Sequence, residues 1–334
     1  MNVLFGISNV SRRFTFIAGF VVSLAGMGIA PAQLQYYEGF DYPGSVNATV
    51  SALNGGSGTW QAAWTTGSGA FLGTNISGGL GYTDGSAHQL LTDPDSIKLA
   101  IGTPPPAPQA TTASPNRTFL GASTTYTNLG AMAAANPNGA GVVWISFLFQ
   151  RPTQVAGPTG LYRQANLGLF QGTAEKLDVG DPNTSGTVNN FLSMWSSGGT
   201  HPAATALQST VSGFNDLQAD LIVLKLTLDT FSSTTPTKDG VSVWIDPVDI
   251  TALAGATLSE PAEVDLSGIT NVRLQAGNQN GSGTNAFFYA DEFRVGFTAA
   301  DVLPLVPEPS PIPLVTLGGA AFACLARLRN RKRA

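Results

Sequence analysis

The sequence predicts an all-β fold, a sandwich or jelly roll with turn-rich connections. Three observations carry this expectation. The body of the chain is abundant in Gly, Thr, Ser, Asn and Pro and low in charge. Several short segments alternate apolar and polar residues with a period of two, and no long stretch of Ala, Leu, Glu and Lys repeats at helical spacing.

The first 32 residues stand apart from that body. Arg12 and Arg13 precede an uncharged apolar stretch at 14–29, and Ala30-Pro31-Ala32 supplies a small-x-small pattern before Gln33. This order of positive, apolar and small residues is that of a removable secretory signal, so residues 1–32 are expected to be a signal peptide with a short apolar helix.

The body, 33–303, then divides into strands. The segment 103–114, "TPPPAPQATTAS", cannot be a central strand because its prolines lack ladder donors, and it reads as a surface loop within one domain. Val142 to Gln150, "VVWISFLFQ", is β-branched and aromatic nearly throughout, which suits a strand buried on both faces. Further strands are expected at 161–171 and 191–195. In "LIVLKLTLD", Ile222, Leu224, Leu226 and Leu228 share one face while Lys225, Thr227 and Asp229 share the other, so one side packs and the other is wet. "GVSVWID" repeats the pattern, with Val241, Val243 and Ile245 alternating with Ser242, Trp244 and Asp246. The connection between these two segments ends in Asp239-Gly240, which predicts an antiparallel hairpin with a long loop. Strands at 271–275 and 287–297 complete the set.

The last part, 304–334, reverses the order of the first. Pro307-Glu308-Pro309 is followed by an uncharged run from Ile312 through Leu314, Leu317 and Phe322 to Ala326, and then by Arg327, Arg329, Arg331, Lys332 and Arg333. The run is expected to form a transmembrane helix, short for a full span and oriented with its basic end in the cytoplasm. This tripartite tail resembles the PEP-CTERM sorting signal of Gram-negative bacteria. The resemblance implies an exosortase as partner, a transient inner-membrane anchor, and delivery to the cell surface or an exopolysaccharide matrix.

Once both ends are set aside, the charge of −5 for the 334-residue chain becomes more negative, because the ends carry seven of its 16 Lys and Arg and only one of its 21 acids. Such an acidic body has no electrostatic footprint for nucleic acid. The single cysteine, Cys324, lies in the tail, so the body is expected to fold on its apolar core without disulfides.

The chain lacks Cys-x-x-Cys, Gly-x-Ser-x-Gly, a phosphate-binding Gly-Lys-Ser/Thr loop and His-Glu-x-x-His. His88 and His201 are its only histidines, and either has the chemistry of a hydrolase base. "YYEGFDYPGS", "GTWQAAW", "VVWISFLFQ", the "LIVLKLTLD"/"VSVWIDP" hairpin and "FYADEFRVGFTAADVLP" occur in an order that resembles the concanavalin A-like, laminin-G-like jelly-roll domains of bacterial surface proteins. Members of that fold include lectins and glucanases. The glucanases need two carboxylates on one strand, and here Glu263 and Asp265 are followed by Ser267 and Gly268 where the second glutamate belongs, so no catalytic residue is assigned.

Asp291 and Glu292 are adjacent and so face opposite ways on a regular strand; Glu292 is placed to pair with Arg294. No cofactor is assigned, although the resemblance makes calcium a possibility, and "DLQAD", "DPVD" and "DPNTSG" hold acids of the right kind. For glycan contact the expected platforms are Trp60 and Trp64, in a Gly- and Thr-rich stretch, and Trp244, which shares its strand face with Ser242 and Asp246. Trp144 and Trp195 read as core. The resulting expectation is a non-catalytic carbohydrate-binding or structural module, with exopolysaccharide as partner; the alternative is a secreted glycoside hydrolase or lyase.

Overall fold

In the computed structural model, the residues described are 34–40, 42, 53–58, 60–65, 74–92, 97–101, 115–139, 141–150, 163–181, 192–194, 218–228, 239–261, 265–278 and 288–305. The segments expected to be a signal peptide, the 103–114 surface loop and a sorting tail, the last including Pro307, Glu308, Pro309, Ile312, Leu314, Leu317, Phe322, Arg327, Arg329, Arg331, Lys332 and Arg333, lie outside them. Among the described residues no helix is long and apolar enough to cross a membrane.

Thirteen strands and two short helices are described. They are β1 (Leu34–Glu38), β2 (Thr74–Ser77), β3 (Ile97–Ile101), β4 (Asn116–Thr118), α1 (Leu129–Ala134), β5 (Val142–Gln150), β6 (Arg163–Gln171), β7 (Ala174–Asp181), β8 (Leu192–Met194), β9 (Asp220–Thr227), β10 (Gly240–Ile245), β11 (Leu258–Pro261), β12 (Asn271–Asn278), β13 (Phe288–Gly296) and α2 (Ala299–Val302). All pair antiparallel in two sheets. The larger has the order β11-β10-β9-β5-β13-β3-β2, with β1 also against β13; the smaller has the order β4-β12-β6-β7-β8.

The two sheets pack face to face, and period-two alternation decides what they bury. Val143, Ile145, Phe147 and Phe149 of β5, Ile222, Leu224 and Leu226 of β9, and Val241 and Val243 of β10 meet Leu167, Leu169, Leu177, Val179, Val272 and Leu274 of the smaller sheet in one core. The expected hairpin is present, with Val241 opposite Leu226 and Ile245 opposite Ile222. One expectation needs correction. The outer face of β9 is not wet at its start, because Leu221 and Val223 are fully buried with Leu148 under a second apolar layer made by Leu80, Leu90, Ile250, Val302 and Leu303. Residues 80–90, the loop after β10 and α2 supply this cover, so the larger sheet packs on both faces.

Strand β13 shows how the core is kept apolar through an acidic stretch. Phe288 and Ala290 face the core, and so do Phe293, Val295 and Phe297, a change of parity within one strand. The register against β5 slips between Asp291 and Arg294, and Glu292 takes a φ of 55°. A bulge of this kind inserts one residue and turns every later side chain to the opposite face. It keeps Phe293 in the core and lets Glu292 pair with Arg294, as the sequence suggested, with Tyr37 Oη donating to Glu292 Oε1 at 3.2 Å. Asp291 is spent on backbone, accepting from the Leu80 amide at 2.8 Å.

The sheets are also joined by charge. Arg117 on β4 of the smaller sheet pairs with Glu38 on β1 of the larger, and both are buried. Glu38 further accepts from the Phe40 amide at 2.7 Å, from Tyr42 Oη at 2.6 Å and from Trp64 Nε1 at 3.2 Å. Arg117 donates to the Ala62 and Gly55 carbonyls and to Asn54 Oδ1, and its guanidinium lies 3.9 Å from the centre of the Trp60 ring. Burial pushes the Glu38 carboxyl upward, and Arg117 and the three donors oppose it.

Removing one partner of such a pair strands the other charge without solvent. Arg117→Met is therefore expected to cost about 3–5 kcal/mol of unfolding free energy, measured by urea denaturation. A loss below about 1 kcal/mol, the size of an exposed pair, would contradict this role.

Candidate functional site

The strands of the smaller sheet carry apolar residues inward, and their outward positions hold an unusual set of polar groups. On β6, Leu167 and Leu169 face the core, so Asn166, Gly168 and Phe170 face out. On β7, Leu177 and Val179 face in and Asp178 faces out; on β12, Val272 and Leu274 face in and Arg273 and Gln275 face out. Register brings these together, because Arg273 lies opposite Gly168, which lies opposite Asp178, and Gln275 lies opposite Asn166. A register slip at Leu169/Phe170 sets Glu175 beside Phe170.

The polar groups form one network. Asn166 Nδ2 donates to Asp178 Oδ1 at 2.7 Å and to Gln275 Oε1 at 2.9 Å, and Glu175 is hydrogen-bonded to Asp178 and Gln275. Asn166 and Asp178 are fully buried at the floor, while Glu175 and Arg273 are half-buried and reach solvent. The Arg273 guanidinium sits 3.9 Å from the centre of the Phe170 ring. Gly168 is required here: a Cβ at that position would lie 2.6 Å from Phe170 Cε2 and 2.7 Å from Asp178 Oδ1.

Three buried atoms of this network lack a hydrogen-bond partner: Asn166 Oδ1, Glu175 Oε1 and Arg273 Nε. Buried polar atoms are nearly always paired, and each orphan costs about 1–3 kcal/mol. Two orphan acceptors and one orphan donor on a single face therefore need a reason. Burial raises the Glu175 carboxyl above its usual range, against the pull of Asp178, Arg273 and Gln275, and burial lowers Arg273 against the two carboxyls. A carboxyl held in its acid form beside a carboxylate can share a proton with it. The contact is too close for a two-carboxylate glycosidase, whose groups stand about 5–9.5 Å apart across the scissile bond.

The residues expected from sequence fall elsewhere. Trp64 is 2 % exposed, its Nε1 donating to Glu38 and Tyr42, so as a glycan platform it is corrected: no ring face is left for a sugar. Trp60 is half-buried under Arg117 and donates Nε1 to the Ser57 carbonyl at 3.2 Å. Trp244 is half-buried on the other sheet, stacked on Trp144 with ring centres 5.5 Å apart, and donates Nε1 to the Ala254 carbonyl at 2.6 Å. Trp195, His201 and Glu263 lie outside the described residues, and Asp265 accepts from the Ser267 amide in a local turn.

His88 joins two acids that the calcium expectation touched only in part. Its Nδ1 lies 2.9 Å from Asp84 Oδ2 and 3.6 Å from Asp249 Oδ1, and the three could each offer one atom to a metal. Three of their four carboxylate oxygens already accept hydrogen bonds. Asp84 accepts the amides of Ser86, His88 and Ile250, and Asp249 those of Thr251 and Ala252. This arrangement pins the 84–88 turn to the loop after β10, which covers the larger sheet. Asp220 of "DLQAD" and Asp246 of "DPVD" also meet, through a hydrogen bond between their side chains, with burial raising Asp246.

The polar face of the smaller sheet was not singled out in the sequence. Its signal was there: "RQANLGLFQ", "AEKLDVGD" and "NVRLQAGN" each place a polar residue opposite the apolar parity in mid-strand, where a solvent face would ordinarily carry Thr, Ser or Lys.

No protein-family model and no curated protein matches this chain. Solved structures with some likeness include the botulinum neurotoxin serotype D binding domain (8 % identity, TM-score 0.41, 81 % of this chain and 50 % of that one). A Trypanosoma rangeli sialidase (11 % identity, TM-score 0.35, 81 % and 32 %) and alginate lyase vAL-1 from Chlorella virus (9 % identity, TM-score 0.28, 63 % and 88 %) are others. This chain spans about half the length of the toxin domains it matches. Likeness of this size says nothing about activity or ligand.

Asp84 tests the latch reading directly. Burial alone would raise its carboxyl, but the Ile250 amide, the His88 ring and amide and the Ser86 amide together bring it below its ordinary 3.8. A depressed carboxylate stabilises the fold above its unfolded pKa and loses that effect only as pH falls through the folded value. Hydrogen exchange at the Ile250 and His88 amides should therefore stay slow from neutral pH down past 3.8. Loss of protection already in mildly acidic solution would contradict it, as would unchanged protection in Asp84→Asn.

Proposed function

We propose that this is an exported surface or matrix protein, sorted through its tail, whose concanavalin A-like jelly-roll body binds glycan on the outer face of the smaller sheet. The observation that carries the binding reading is the set of orphan atoms Asn166 Oδ1, Glu175 Oε1 and Arg273 Nε on one face. A sugar hydroxyl both donates and accepts, so vicinal hydroxyls of one residue can answer two acceptors and a donor together. Ligands of this kind are held by a few placed polar groups beside apolar surface, and Phe170, buried under the Arg273 guanidinium, is the apolar side chain of this face.

Binding is favoured over cleavage by the closeness of Glu175 to Asp178, which leaves no room for a reacting glycosidic bond between them. The export half of the proposal rests on the sequence. Pro307, Glu308 and Pro309 serve recognition by an exosortase, the run from Ile312 to Ala326 retains the chain in the inner membrane, and the basic end fixes its orientation before release to the surface or the exopolysaccharide.

Each half has its own test. On a glycan array, the full chain should bind specifically in EDTA as well as in calcium, because the proposed contacts are all made by side chains, and Asn166→Ala or Glu175→Ala should lower affinity about tenfold or more. Glu175 is at the half-buried rim, so that variant should keep its fold by circular dichroism; undiminished binding in both variants would remove the face from consideration. In the cell, replacing Arg327, Arg329, Arg331, Lys332 and Arg333 by Glu should abolish surface delivery, and normal delivery of that variant would defeat the sorting reading.

A further inference from the structure

The same face carries a statement about which glycan it takes, and this inference rests on the glycan-binding reading. We infer that the site selects sugars bearing a carboxylate, with Arg273 receiving the acid group while Asn166 Oδ1 and Glu175 Oε1 take neighbouring ring hydroxyls.

A guanidinium that serves only to neutralise acids is held by them through direct hydrogen bonds, as Arg117 is held by Glu38. Arg273 is arranged otherwise. Its plane lies over Phe170, and its Nε is buried with no partner. Stacking fixes the plane of the guanidinium while leaving its in-plane N–H groups to point elsewhere. The natural partner of such an edge is a planar oxyanion, which can accept two parallel N–H bonds.

The neighbours match that role. Asp178 is engaged by Asn166, and Glu175 is hydrogen-bonded to Asp178 and Gln275, so the acids near Arg273 are turned toward one another. Burial favours the neutral form of Glu175, which reduces repulsion toward an incoming carboxylate. Gly168, between Arg273 and Asp178 in the register, has no side chain, and that lets Phe170 and Asp178 close over the strand beside Arg273.

Long-range electrostatics oppose the inference, since the chain carries −5 overall. Attraction must therefore come from contact with one guanidinium and not from a basic surface. At about 0.15 M salt the long-range repulsion is screened beyond about 8 Å while a half-buried contact is screened less.

The experiment compares a galacturonic acid oligomer with its fully methyl-esterified form, which keeps every ring hydroxyl and removes the charge. Binding to the full chain is measured by calorimetry at that salt, with EDTA present throughout to exclude calcium bridging. The free acid is expected to bind about 10- to 100-fold more tightly than the ester. Arg273→Gln should abolish the difference between acid and ester, and Arg273→Lys should restore it only in part. Equal binding of acid and ester, or a preference that survives Arg273→Gln, overturns the carboxylate inference while glycan binding itself stands. If neither oligomer nor any neutral glycan on the array binds, the reading of the face has failed and this inference fails with it.

Discussion

The ion pair between Glu38 and Arg117 is the constraint from which the arrangement of this molecule follows. It is buried, it joins the first strand of the larger sheet to an edge strand of the smaller one, and it gathers Tyr42, Trp64, Trp60 and Asn54 around it. Apolar faces can slide over one another at little cost, because the hydrophobic effect has no direction. A buried charge pair cannot. Once Arg117 is fixed, β4 is fixed, and β4 sets β12 through the pairing of Arg117 with Val272 and Asn116 with Arg273. Arg273 and Gln275 are thereby placed over β6 and β7.

The smaller sheet thus has two faces with different physical tasks. Its inner face is aliphatic and joins the common core. Its outer face holds Asn166 and Asp178 fully buried, and Asn166 Oδ1, Glu175 Oε1 and Arg273 Nε there have no hydrogen-bond partner. A sequence selected only for stability would fill such positions with groups that satisfy one another or with apolar residues of like volume. The larger sheet illustrates that alternative. Its outer face is closed by a second apolar layer, by stacked Trp144 and Trp244, and by an Asp84–His88–Asp249 latch whose acids take up the local amides. Unpaired buried atoms occur on both sheets, Arg294 Nη1 on the larger one, but Asn166 Oδ1, Glu175 Oε1 and Arg273 Nε stand together on the smaller, and the proposed binding face rests on that grouping.

Much of the fold was legible in the sequence, because period-two alternation is strong where one face is buried. β5 was read to the residue, and β9, β10, β12 and β13 nearly so. The strands of three to five residues at β1, β2, β3, β4 and β11 were not, since so few residues carry no period. β7 escaped because its outward positions are Lys and Asp and its apolar face is only Leu177 and Val179. The bulge at Glu292 was invisible for a different reason: a left-handed non-glycine residue is set by tertiary packing and leaves no local mark. The tryptophans misled because exposure was inferred from flanking Gly and Thr, whereas a buried Glu-Arg pair claimed Trp64. The site itself is a property of register, assembled from Asn166, Glu175, Asp178, Arg273 and Gln275 on three strands, and no single stretch spells it.

The polar outer face of the smaller sheet is the proposed meeting place of this protein and its ligand. Side-chain NMR of Asn166, Gln275 and Arg273 during titration with a pool of polysaccharide-derived oligosaccharides tests this placement. The account predicts that the Asn166 and Gln275 amide signals and the Arg273 Nε–H move together and saturate, while Trp144 and Trp244 on the other sheet stay still. Saturable shifts at the two tryptophans with the Asn166, Gln275 and Arg273 signals unmoved would contradict it.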